Sequence, residues 1–414
     1  MNLLKNKTIA IVGGGPGGLT LARLLQMKGA AVSVYERDRN KDARMQGATL
    51  DLHEESGLKA LQEAGLMDAF RANYRPGADK LRMVDRHANI LFDDDANATN
   101  GTNATNGDPA RDRNRPEIDR GPLQNILLDS LQPGTVIWNS HFINLSPQAT
   151  PPQETTPPQE TAASPHQNSW KLEFKDGPSA LADIVIAADG ANSKLRPYIT
   201  PIRPFYAGVT VVEGAVYHSE TATPGIHQLL NGGKIFAMDE EMTLIVSSKG
   251  DGSLAFYTSC KTEEQWSQKS GIDFTSKAQV TAWFKTQFAG WDSIWMELFD
   301  NASSAFVPRP QYCMPLDQTW EARPNLTLLG DAAHLMPPFA GEGVNMAMLD
   351  ALELAQCLNS ENYSDTREAI AAYEHQMRIR ASATAKDTLD ATAVFHSPDA
   401  KEYFINLLTP LPDF

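Results

Sequence analysis

The residues that most constrain the fold of this chain are a glycine-rich run near the N-terminus, GGGPGG at positions 13–18. An apolar run, TIAIV at 8–12, comes before it, and a segment with helical apolar spacing follows at 19–28. A second apolar run occupies positions 31–35. This order predicts a buried parallel strand, a tight turn, a helix and a second strand.

Three glycines of this run, Gly13, Gly15 and Gly18, occupy the positions of a GxGxxG pattern. The first glycine allows a tight turn, the second lets a pyrophosphate approach the backbone, and the third lets helix and strand pack closely. Glu36 follows the second strand, where a carboxylate can accept hydrogen bonds from a ribose diol. The whole pattern therefore predicts dinucleotide binding, and the acid favours FAD or NAD over NADP.

A second glycine-bearing stretch, GDAAHLMPPFAGEGVN, spans 330–345 between an apolar run at 326–330 and a helical pattern at 347–358. A helix N-terminus offers unpaired backbone N–H groups and a partial positive charge. Gly341 and Gly343 lack side chains, so a flat ligand could lie against their backbone. An ordinary strand–loop–helix connection would show the same pattern, so the interpretation depends on the rest of the chain.

A third segment, the apolar run ADIVIAA at 182–188, ends in Asp189-Gly190 and a basic stretch that reaches Arg196. Asp-Gly alone is typical of a plain turn after a strand. A functional interpretation is favoured because Asp189-Gly190 follows the GxGxxG run and precedes the 330–345 stretch along the chain. Together they predict three distant loops that meet around one ligand.

Size, charge and cysteine content narrow the class of protein. The chain has 414 residues, enough for two domains with sizeable cores. Its net charge of −15 and its pI of about 5.1 argue against nucleic-acid binding. Three scattered cysteines predict reduced thiols, with neither a disulfide framework nor a metal site. The sequence shows no signal-peptide pattern and no apolar stretch of ~20 residues, so we predict a cytoplasmic protein.

Differences in pattern along the chain predict a discontinuous domain organisation. Alternating apolar runs at 208–217, 234–238, 242–248 and 253–260 predict an antiparallel sheet with one covered face. We predict a dinucleotide-binding domain (1–74, 115–200 and 314–358), a substrate domain (75–114 and 201–313) and a C-terminal helical segment (359–414). A helix over 366–390 would be about 37 Å long and could bridge both domains. Two duplicated tracts, near 97–107 and 150–161, are expected to be exposed loops.

Three segments, GGGPGG at 13–18, ADGANSKLR at 188–196 and the stretch at 330–345, resemble those of the FAD-dependent aromatic hydroxylases, the single-component flavoprotein monooxygenases. Within that group the chain is most similar to the TetX-type tetracycline-inactivating monooxygenases, through VYERD at 34–38, GATLDLH at 47–53 and RPEIDR at 115–120. The resemblance implies an α/β fold. Its parts would be a Rossmann-like FAD-binding domain of the glutathione reductase and hydroxybenzoate hydroxylase type, an α+β substrate domain on an antiparallel sheet, and a long C-terminal bridging helix.

The resemblance also implies which residues contact the cofactor. These are Gly13, Gly15, Gly18, Glu36, Arg37, Arg44, Asp51, Arg120, Asp189, Asp331, Gly343, Val344 and Asn345. Glu36 and Arg37 would hold the adenosine half of FAD, and Arg120 and Asp331 its pyrophosphate and ribityl region. Arg44 could equally be a surface arginine. Pro337, Pro338 and Gly341 would form the catalytic loop, in which the prolines supply a dry wall and the backbone lies along the isoalloxazine.

The substrate residues that the resemblance implies are Glu213, Phe236, Met238, Ala255 and Phe339. Tetracycline-oxidising members carry a glutamine and a histidine where this chain has Glu213 and Ala255. Tetracycline is therefore one candidate among phenolic, enolic and polyketide-like substrates. Glu342 is a further departure, because many members carry a glutamine there.

The implied reaction uses bound FAD, NADPH as a transient reductant, and dioxygen. A flavin C4a-hydroperoxide would transfer oxygen to a phenol or enol. The expected partners are small molecules, with no nucleic acid or membrane, and the expected state is a monomer. Two alternatives stay open at this stage: an NAD-dependent dehydrogenase on the same N-terminal fold, and a catalytically silent flavin-binding protein.

Overall fold

The computed structural model describes residues 3–43, 47, 49–94, 115–148 and 169–408. Arg44 and the duplicated tracts near 97–107 and 150–161 lie outside these residues. The strands of the described part are β1 Thr8–Val12, β2 Ala31–Tyr35, β3 Leu50–Asp51, β4 Leu81–Val84, β5 Ile90–Asp93, β6 Glu117–Ile118, β7 Val136–Ile137, β8 Phe142–Pro147, β9 Trp170–Phe174, β10 Ala180–Ala182, β11 Ile184–Ala187, β12 Phe205–Val216, β13 Lys234–Asp239, β14 Met242–Ser248, β15 Leu254–Lys261, β16 Val307–Cys313 and β17 Leu326–Leu328.

The α-helices of the same residues are Pro16–Met27, Lys59–Glu63, Met67–Arg71, Arg120–Asp129, Ser219–Ala222, Pro224–Leu230, Trp266–Lys269, Lys277–Gln287, Met296–Asp300, Asp331–His334, Gly343–Leu358, Thr366–Phe395 and Ala400–Leu408. One π-helical stretch covers Glu54–Leu58, and 3₁₀ turns cover Arg196–Tyr198, Ser293–Trp295 and Pro338–Ala340.

A five-stranded parallel sheet, ordered β17-β11-β1-β2-β7, forms the centre of the first core. β1, β11 and β17 are apolar and buried, as expected for parallel strands that are covered on both faces. The helix Pro16–Met27 follows β1 and packs against the helix Gly343–Leu358. Because β1, β11 and β17 are neighbours, the loops that follow them meet at one edge of the sheet.

A seven-stranded sheet, ordered β16-β12-β15-β14-β13-β4-β5, forms the second core. It is antiparallel except for the parallel pair β13 and β4. One face packs on the helices Lys277–Gln287 and Met296–Asp300 through stacked and edge-on aromatic rings, including Phe256, Phe284 and Phe299. The aromatic residues of this region therefore serve mainly as core.

The opposite face of this sheet, called here the inner face, looks toward the first core. Lys234 on β13 contacts Glu117 of the two-stranded β3–β6 sheet. Arg75 donates hydrogen bonds from Nη1 to the Ser248 carbonyl oxygen (2.7 Å) and from Nη2 to its hydroxyl (2.9 Å). These contacts join the second sheet to the first core.

The helix Thr366–Phe395, called here the bridging helix, connects the two cores. Its 30 residues correspond to about 45 Å. Tyr373 and Met377 in its first half are buried in the first core, whereas Phe395 at its end is buried against the second sheet. Among the described residues, no helix combines the length and the apolar character that a bilayer span requires.

The predicted α/β fold with two sheets and a bridging helix is confirmed, with three differences in detail. The helix predicted from position 347 begins at Gly343, so Gly343 and Asn345 lie in its first turn. Asp331 opens the short helix Asp331–His334 instead of an irregular turn. The sequence predicts a strand over WKLEF at 170–174 that pairs with the preceding strand near 135–139, whereas in the structure β9 pairs with β8 and β10. The predicted domain boundaries stay a prediction.

Candidate active site

In the glycine turn after β1, two of the three motif glycines have no room for a side chain. Gly13 has φ +113°, and a methyl group there would lie 2.1 Å from the carbonyl oxygen of Ala188. A methyl group on Gly18 would lie 2.2 Å from the Gly13 carbonyl oxygen. Gly15 differs, because among the described residues no atom outside its chain neighbours and its own helix backbone lies within 4 Å of the corresponding position. The turn is thus closed toward β11 and open at the N-terminus of the first helix.

Glu36 lies at the end of β2 beside this turn. The side chain is buried, Oε2 accepts a hydrogen bond from the Gly14 N–H (2.6 Å), and Oε1 accepts one from the Asp38 N–H (2.9 Å). These two amides fix the position of the carboxylate beside the glycine turn. The neighbouring Arg37 is exposed.

Asp189 follows β11 and adjoins the glycine turn, where a methyl group on Gly13 would lie 3.0 Å from its backbone nitrogen. Its Oδ2 accepts hydrogen bonds from the N–H groups of Lys194 (2.8 Å) and Leu195 (3.3 Å). Its Oδ1 is buried without a hydrogen-bond partner among the described residues. Burial raises the pKa of Asp189. An unpaired buried acceptor at this position is available to a ligand.

Asp331 follows β17 and is tied to the Asp189 loop by Arg196. Arg196 is buried and donates from Nη2 to the Asp331 carbonyl oxygen (2.8 Å) and from Nε to that of Ala332 (2.6 Å). Burial raises the pKa of the Asp331 carboxyl, although the charges of His334, Arg120 and Arg196 oppose this shift. The loops after β1, β11 and β17 therefore meet, as the sequence predicts.

The turn before the helix Gly343–Leu358 leaves backbone groups accessible to a ligand. Gly341 has φ +72°, in the left-handed region that favours glycine, and a methyl group there would lie 3.2 Å from Asp51 Oδ1. Within the described part of the chain, no atom beyond the neighbouring residues and the helix's own backbone lies within 4 Å of the corresponding position on Gly343. The N–H groups of Gly343 and Val344 precede the first intrahelical donor, so they can donate to an acceptor outside the helix.

The side chain of Asn345 is fully buried and bonded within the protein. Its Oδ1 accepts from the His53 N–H (2.9 Å), and its Nδ2 donates to the Asp51 carbonyl oxygen (2.9 Å). A methyl group on Gly57 would lie 2.6 Å from Asn345 Oδ1. The side chain therefore holds the helix against the 51–57 segment and leaves only the backbone for a ligand.

Sequence reasoning missed an Asp51–His53–Glu342 cluster at this turn. His53 Nε2 lies 3.1 Å from Asp51 Oδ2, and His53 Nδ1 lies 3.4 Å from Glu342 Oε1. Burial would raise the pKa of Asp51, but the His53 hydrogen bond and the Lys234 charge more than offset it and lower the pKa. Burial raises the pKa of Glu342 despite His53. No spacing rule connects positions 51 and 53 with 342.

A second missed network lies behind the Asp331 turn. Asp350 is fully buried and accepts hydrogen bonds from the Gly330 N–H (2.9 Å), His334 Nε2 (2.5 Å) and Arg380 Nη2 (2.6 Å). His334 is 2% exposed, and Asp350 raises its pKa against the opposing effect of burial, which is the larger single cause. His334 is thus a buried partner of Asp350, and this favours a structural role over contact with a ligand.

The predicted substrate residues lie together on the inner face of the second sheet or against it. Phe236 and Met238 belong to one apolar cluster with Phe339, and Phe395 closes this cluster. The Phe395 ring centroid lies 5.8 Å from that of Phe236 and 5.5 Å from that of Phe339. Pro337 is buried and Pro338 exposed at the start of the same loop.

The inner face becomes polar toward β16. Glu213 Oε2 accepts a hydrogen bond from Arg309 Nε (2.5 Å), and Tyr257 is the cross-strand partner of Glu213. A methyl group on Gly47 would lie 3.3 Å from the Tyr257 hydroxyl oxygen, 3.5 Å from Arg120 Nε and 3.6 Å from Glu213 Oε1. Ala255 lies on the same face, two residues before Tyr257. Arg309, Tyr257 and Phe395 were not predicted, because none belongs to a recognisable motif.

These features fit a flavin dinucleotide. The open N-terminus at Gly15 suits a pyrophosphate, Glu36 suits a ribose, and the unpaired Asp189 Oδ1 supplies a buried acceptor. The free N–H groups at Gly343 and Val344 suit the electron-rich edge of a flat ring. Fold and site together therefore fit a flavin-dependent oxidoreductase with a second domain built on an antiparallel sheet.

The chain belongs to the FAD binding domain family, whose model matches residues 6–119 and 175–388. It is 26% identical to monooxygenase penA of Penicillium thymicola, over 97% of this chain and 98% of that protein. It is 27% identical to 6-hydroxynicotinate 3-monooxygenase of Pseudomonas fluorescens, over 93% of this chain and 91% of that protein. The class is therefore an FAD-dependent monooxygenase.

Solved structures show the same fold. A putative FAD containing monooxygenase from Photorhabdus luminescens superposes with a TM-score of 0.73 at 24% identity, covering 94% of this chain and 99% of that one. The tetracycline destructase Tet(55) superposes with a TM-score of 0.70 at 18% identity, covering 99% of each chain. At these identities the similarity concerns the fold alone. The recognised resemblance to flavoprotein monooxygenases is thus confirmed.

Proposed function

We propose that this monooxygenase hydroxylates an electron-rich aromatic or enolic molecule of polycyclic or polyketide-like type, with NADPH as reductant and dioxygen as co-substrate. The observation that carries the proposal is the inner face, where Phe236, Phe339 and Phe395 form an apolar wall next to the Gly341 turn. The relative named 6-hydroxynicotinate 3-monooxygenase acts on a hydroxylated ring, which supports the same substrate class.

Bound FAD would supply the redox chemistry, taking a hydride from the nicotinamide and activating dioxygen. The chain would hold the cofactor with Gly13, Gly15 and Gly18, with Glu36 and Arg37, and with Asp51, Arg120, Asp189 and Asp331. The backbone N–H groups of Gly343 and Val344 would stabilise negative charge that develops on the ring, because the helix dipole opposes it.

The loop that carries Pro337, Pro338 and Phe339 would exclude water from the reaction site. Proline fixes its own φ, so this loop has fewer conformations than most. Phe339 adds an aromatic ring that packs on Phe395 and reaches the inner face. A reactive oxygen species beneath this loop would be shielded from solvent, which favours transfer of oxygen to substrate.

The polar side of the inner face would orient the substrate. Glu213, Arg309 and Tyr257 offer charged and hydroxyl groups on the same sheet, two to four strands away from Phe236 of the apolar wall. A substrate with an aromatic body and oxygen substituents at one end matches this gradient. Tetracycline has that character and remains one candidate, although Glu213 and Ala255 replace the glutamine and histidine of the tetracycline-oxidising enzymes.

The remaining parts of the proposal concern the reductant, the compartment and the assembly state. One glycine turn serves bound FAD, so NADPH would visit the site transiently. Cys260, Cys313 and Cys357 are free thiols, which supports a reducing compartment such as the cytoplasm. We propose a monomer.

The test is a spectral titration of the purified, FAD-loaded protein with tetracycline, a hydroxyanthraquinone and a simple phenol. We expect at least one of these to perturb the flavin absorption and to accelerate NADPH oxidation with formation of a hydroxylated product. NADH in place of NADPH serves as the control for the reductant. Bound flavin without NADPH oxidation in the presence of any of these molecules would contradict the proposal.

A further inference from the structure

A buried row of polar groups joins the second sheet to the end of the bridging helix. Thr243 and Ser259 are cross-strand partners on β14 and β15, and their hydroxyl oxygens lie 2.5 Å apart. Ser259 Oγ lies 2.8 Å from His396 Nε2, and His396 Nδ1 lies 2.8 Å from the Thr392 carbonyl oxygen. His396 and Thr243 are fully buried, and Ser259 nearly so.

The carbonyl group fixes the direction of this row. A carbonyl oxygen only accepts, so His396 Nδ1 donates to Thr392, and a neutral ring then leaves Nε2 as an acceptor. Ser259 donates to Nε2 and accepts from Thr243. Burial lowers the pKa of His396, which favours the neutral ring. Every polar group of the row is satisfied within the protein, so the row is not a ligand site.

The ring of His396 also supports the aromatic wall. The Phe339 and His396 ring centroids lie 5.1 Å apart with an interplanar angle of 84°, an edge-on contact. Phe339 is the residue that follows the two prolines, and its other ring partner is Phe395, the neighbour of His396. His396 therefore touches three elements at once: the proline loop, the end of the bridging helix and, through Ser259, the second sheet.

We propose that His396 is a positioning residue that holds Phe339 in place, so that the wall over the flavin site stays closed to water. This inference rests on the proposed function, because a closed wall matters only if a water-sensitive oxygenation takes place there. His396 itself does not touch the reacting atoms. It acts through Phe339, and its own position depends on the Ser259 hydroxyl.

The first test measures hydrogen–deuterium exchange of the FAD-loaded protein without substrate or NADPH. The variants are His396→Phe, which keeps an aromatic ring, and Ser259→Ala, which removes only one hydroxyl. We expect exchange in the loop 335–342 to accelerate roughly threefold to tenfold in both variants, as the loss of one or two buried hydrogen bonds predicts. Exchange in β11 should stay unchanged.

The second test measures how far iodide quenches the fluorescence of the bound flavin. We expect the quenching constant to rise by roughly twofold or more in His396→Phe and Ser259→Ala, because the wall opens. His396→Gln retains an acceptor for Ser259 and should restore protection in both measurements. His375→Gln changes an exposed histidine of the same helix and serves as the matched control, with wild-type values expected.

Wild-type exchange and quenching in both variants would overturn the proposal. Equal acceleration in β11 would also overturn it, because it would indicate general destabilisation. Neither measurement needs a substrate. If the wild-type protein oxidises no NADPH with the probes of the titration, the proposed function fails, and these two tests still decide the role of His396.

Discussion

Gly15 and Gly18 lie three residues apart in one turn, yet a methyl group would meet different surroundings at each. At Gly18 it would press into the Gly13 carbonyl oxygen at 2.2 Å, whereas at Gly15 it would point into open space. The GxGxxG pattern predicts different roles for them, the approach of a pyrophosphate at Gly15 and close helix–strand packing at Gly18. The structure separates a glycine that close packing requires from a glycine whose surroundings leave room for a side chain.

Gly15→Ala should therefore leave the cofactor-free protein stable and weaken FAD binding, since the methyl group enters the space assigned to a pyrophosphate. Gly18→Ala should destabilise the protein itself by about 1–3 kcal/mol, as forced overpacking does. Urea unfolding of the cofactor-free forms and FAD titration by fluorescence measure the two effects. Unchanged FAD affinity in Gly15→Ala would place the pyrophosphate elsewhere.

Asp331 gives a prediction about pH, because burial raises the pKa of its carboxyl in the folded state. The folded protein then holds the proton more tightly than the unfolded chain, so this group costs stability as pH rises from the ordinary carboxyl pKa of about 4 through the raised value. Asp331→Asn should be more stable than wild type at neutral pH. The difference should vanish in acid, where the wild-type carboxyl is protonated in both states.

Urea unfolding of both cofactor-free proteins at several pH values measures this difference. FAD affinity should fall in Asp331→Asn, because the variant loses the charged acceptor that we propose for the ribityl region. A stability difference that is the same at acid and neutral pH would contradict the assignment of the shift to this carboxyl.

The individual site residues were predictable to different degrees for a physical reason. Gly13, Glu36 and Asp331 belong to loops with local signatures, because each loop must follow a buried strand and begin a helix or a tight turn. His53 and His396 have no such signature, since their partners lie far away in the sequence. Side-chain networks that form only between distant segments cannot be inferred from spacing.

At the scale of elements, the bridging helix and the helix Gly343–Leu358 are joined by buried charge. Asp350 on one helix accepts hydrogen bonds from Arg380 on the other and from His334 of the Asp331 turn. Arg380 Nη1 also contacts Glu353 at 2.6 Å, but that carboxylate is partly exposed. The buried Asp350 carboxylate thus joins its own helix to the bridging helix and to the short helix Asp331–His334.

Asp350→Asn should cost about 3–5 kcal/mol of unfolding free energy, because it leaves Arg380 and His334 without their buried counter-charge. Glu353→Gln is the matched control on the same helix, and it should cost less than about 1 kcal/mol because its pair is partly solvated. Guanidinium unfolding measures both. Equal losses in the two variants would show that burial of Asp350 adds nothing to the network.

The elements themselves were predicted with uneven accuracy. The bounds of β1, β2 and β9 match the prediction, because short apolar or alternating runs between turn residues have few alternatives. The helix at Gly343 begins four residues before its predicted start, since glycine and asparagine are weak helix formers. Asn345 is helical here because its side chain is anchored to Asp51 and His53, a tertiary contact that propensity does not include.

At the scale of the whole molecule, the two cores meet along a polar seam. Lys234 of the second sheet contacts Glu117, which is 2% exposed and whose Oε2 has no partner within the described part of the chain. Asp119 accepts a hydrogen bond from the Gly250 N–H (2.8 Å) at the same seam. Burial raises the pKa of Glu117, and the Lys234 charge opposes that shift.

Lys234→Met should destabilise the protein by about 3 kcal/mol at neutral pH, because Glu117 would be left as a buried unpaired charge. The loss should shrink in acid, where Glu117 can take up a proton. Lys234→Arg keeps the charge, and Lys285→Met removes an exposed lysine as the control. A pH-independent loss in thermal or urea unfolding would rule out Glu117 as the cause.

The proposed cofactor site is assembled from segments that are far apart in the sequence, since β1 and its glycine turn lie beside β11 and β17. During synthesis, the first segments of the site must wait until the residues near 345 have left the ribosome. We expect ribosome-bound chains arrested near position 313 to carry no flavin fluorescence, whereas released full-length chains acquire it. Flavin binding would then follow synthesis of most of the chain. A shortage of riboflavin would leave completed polypeptides without their cofactor.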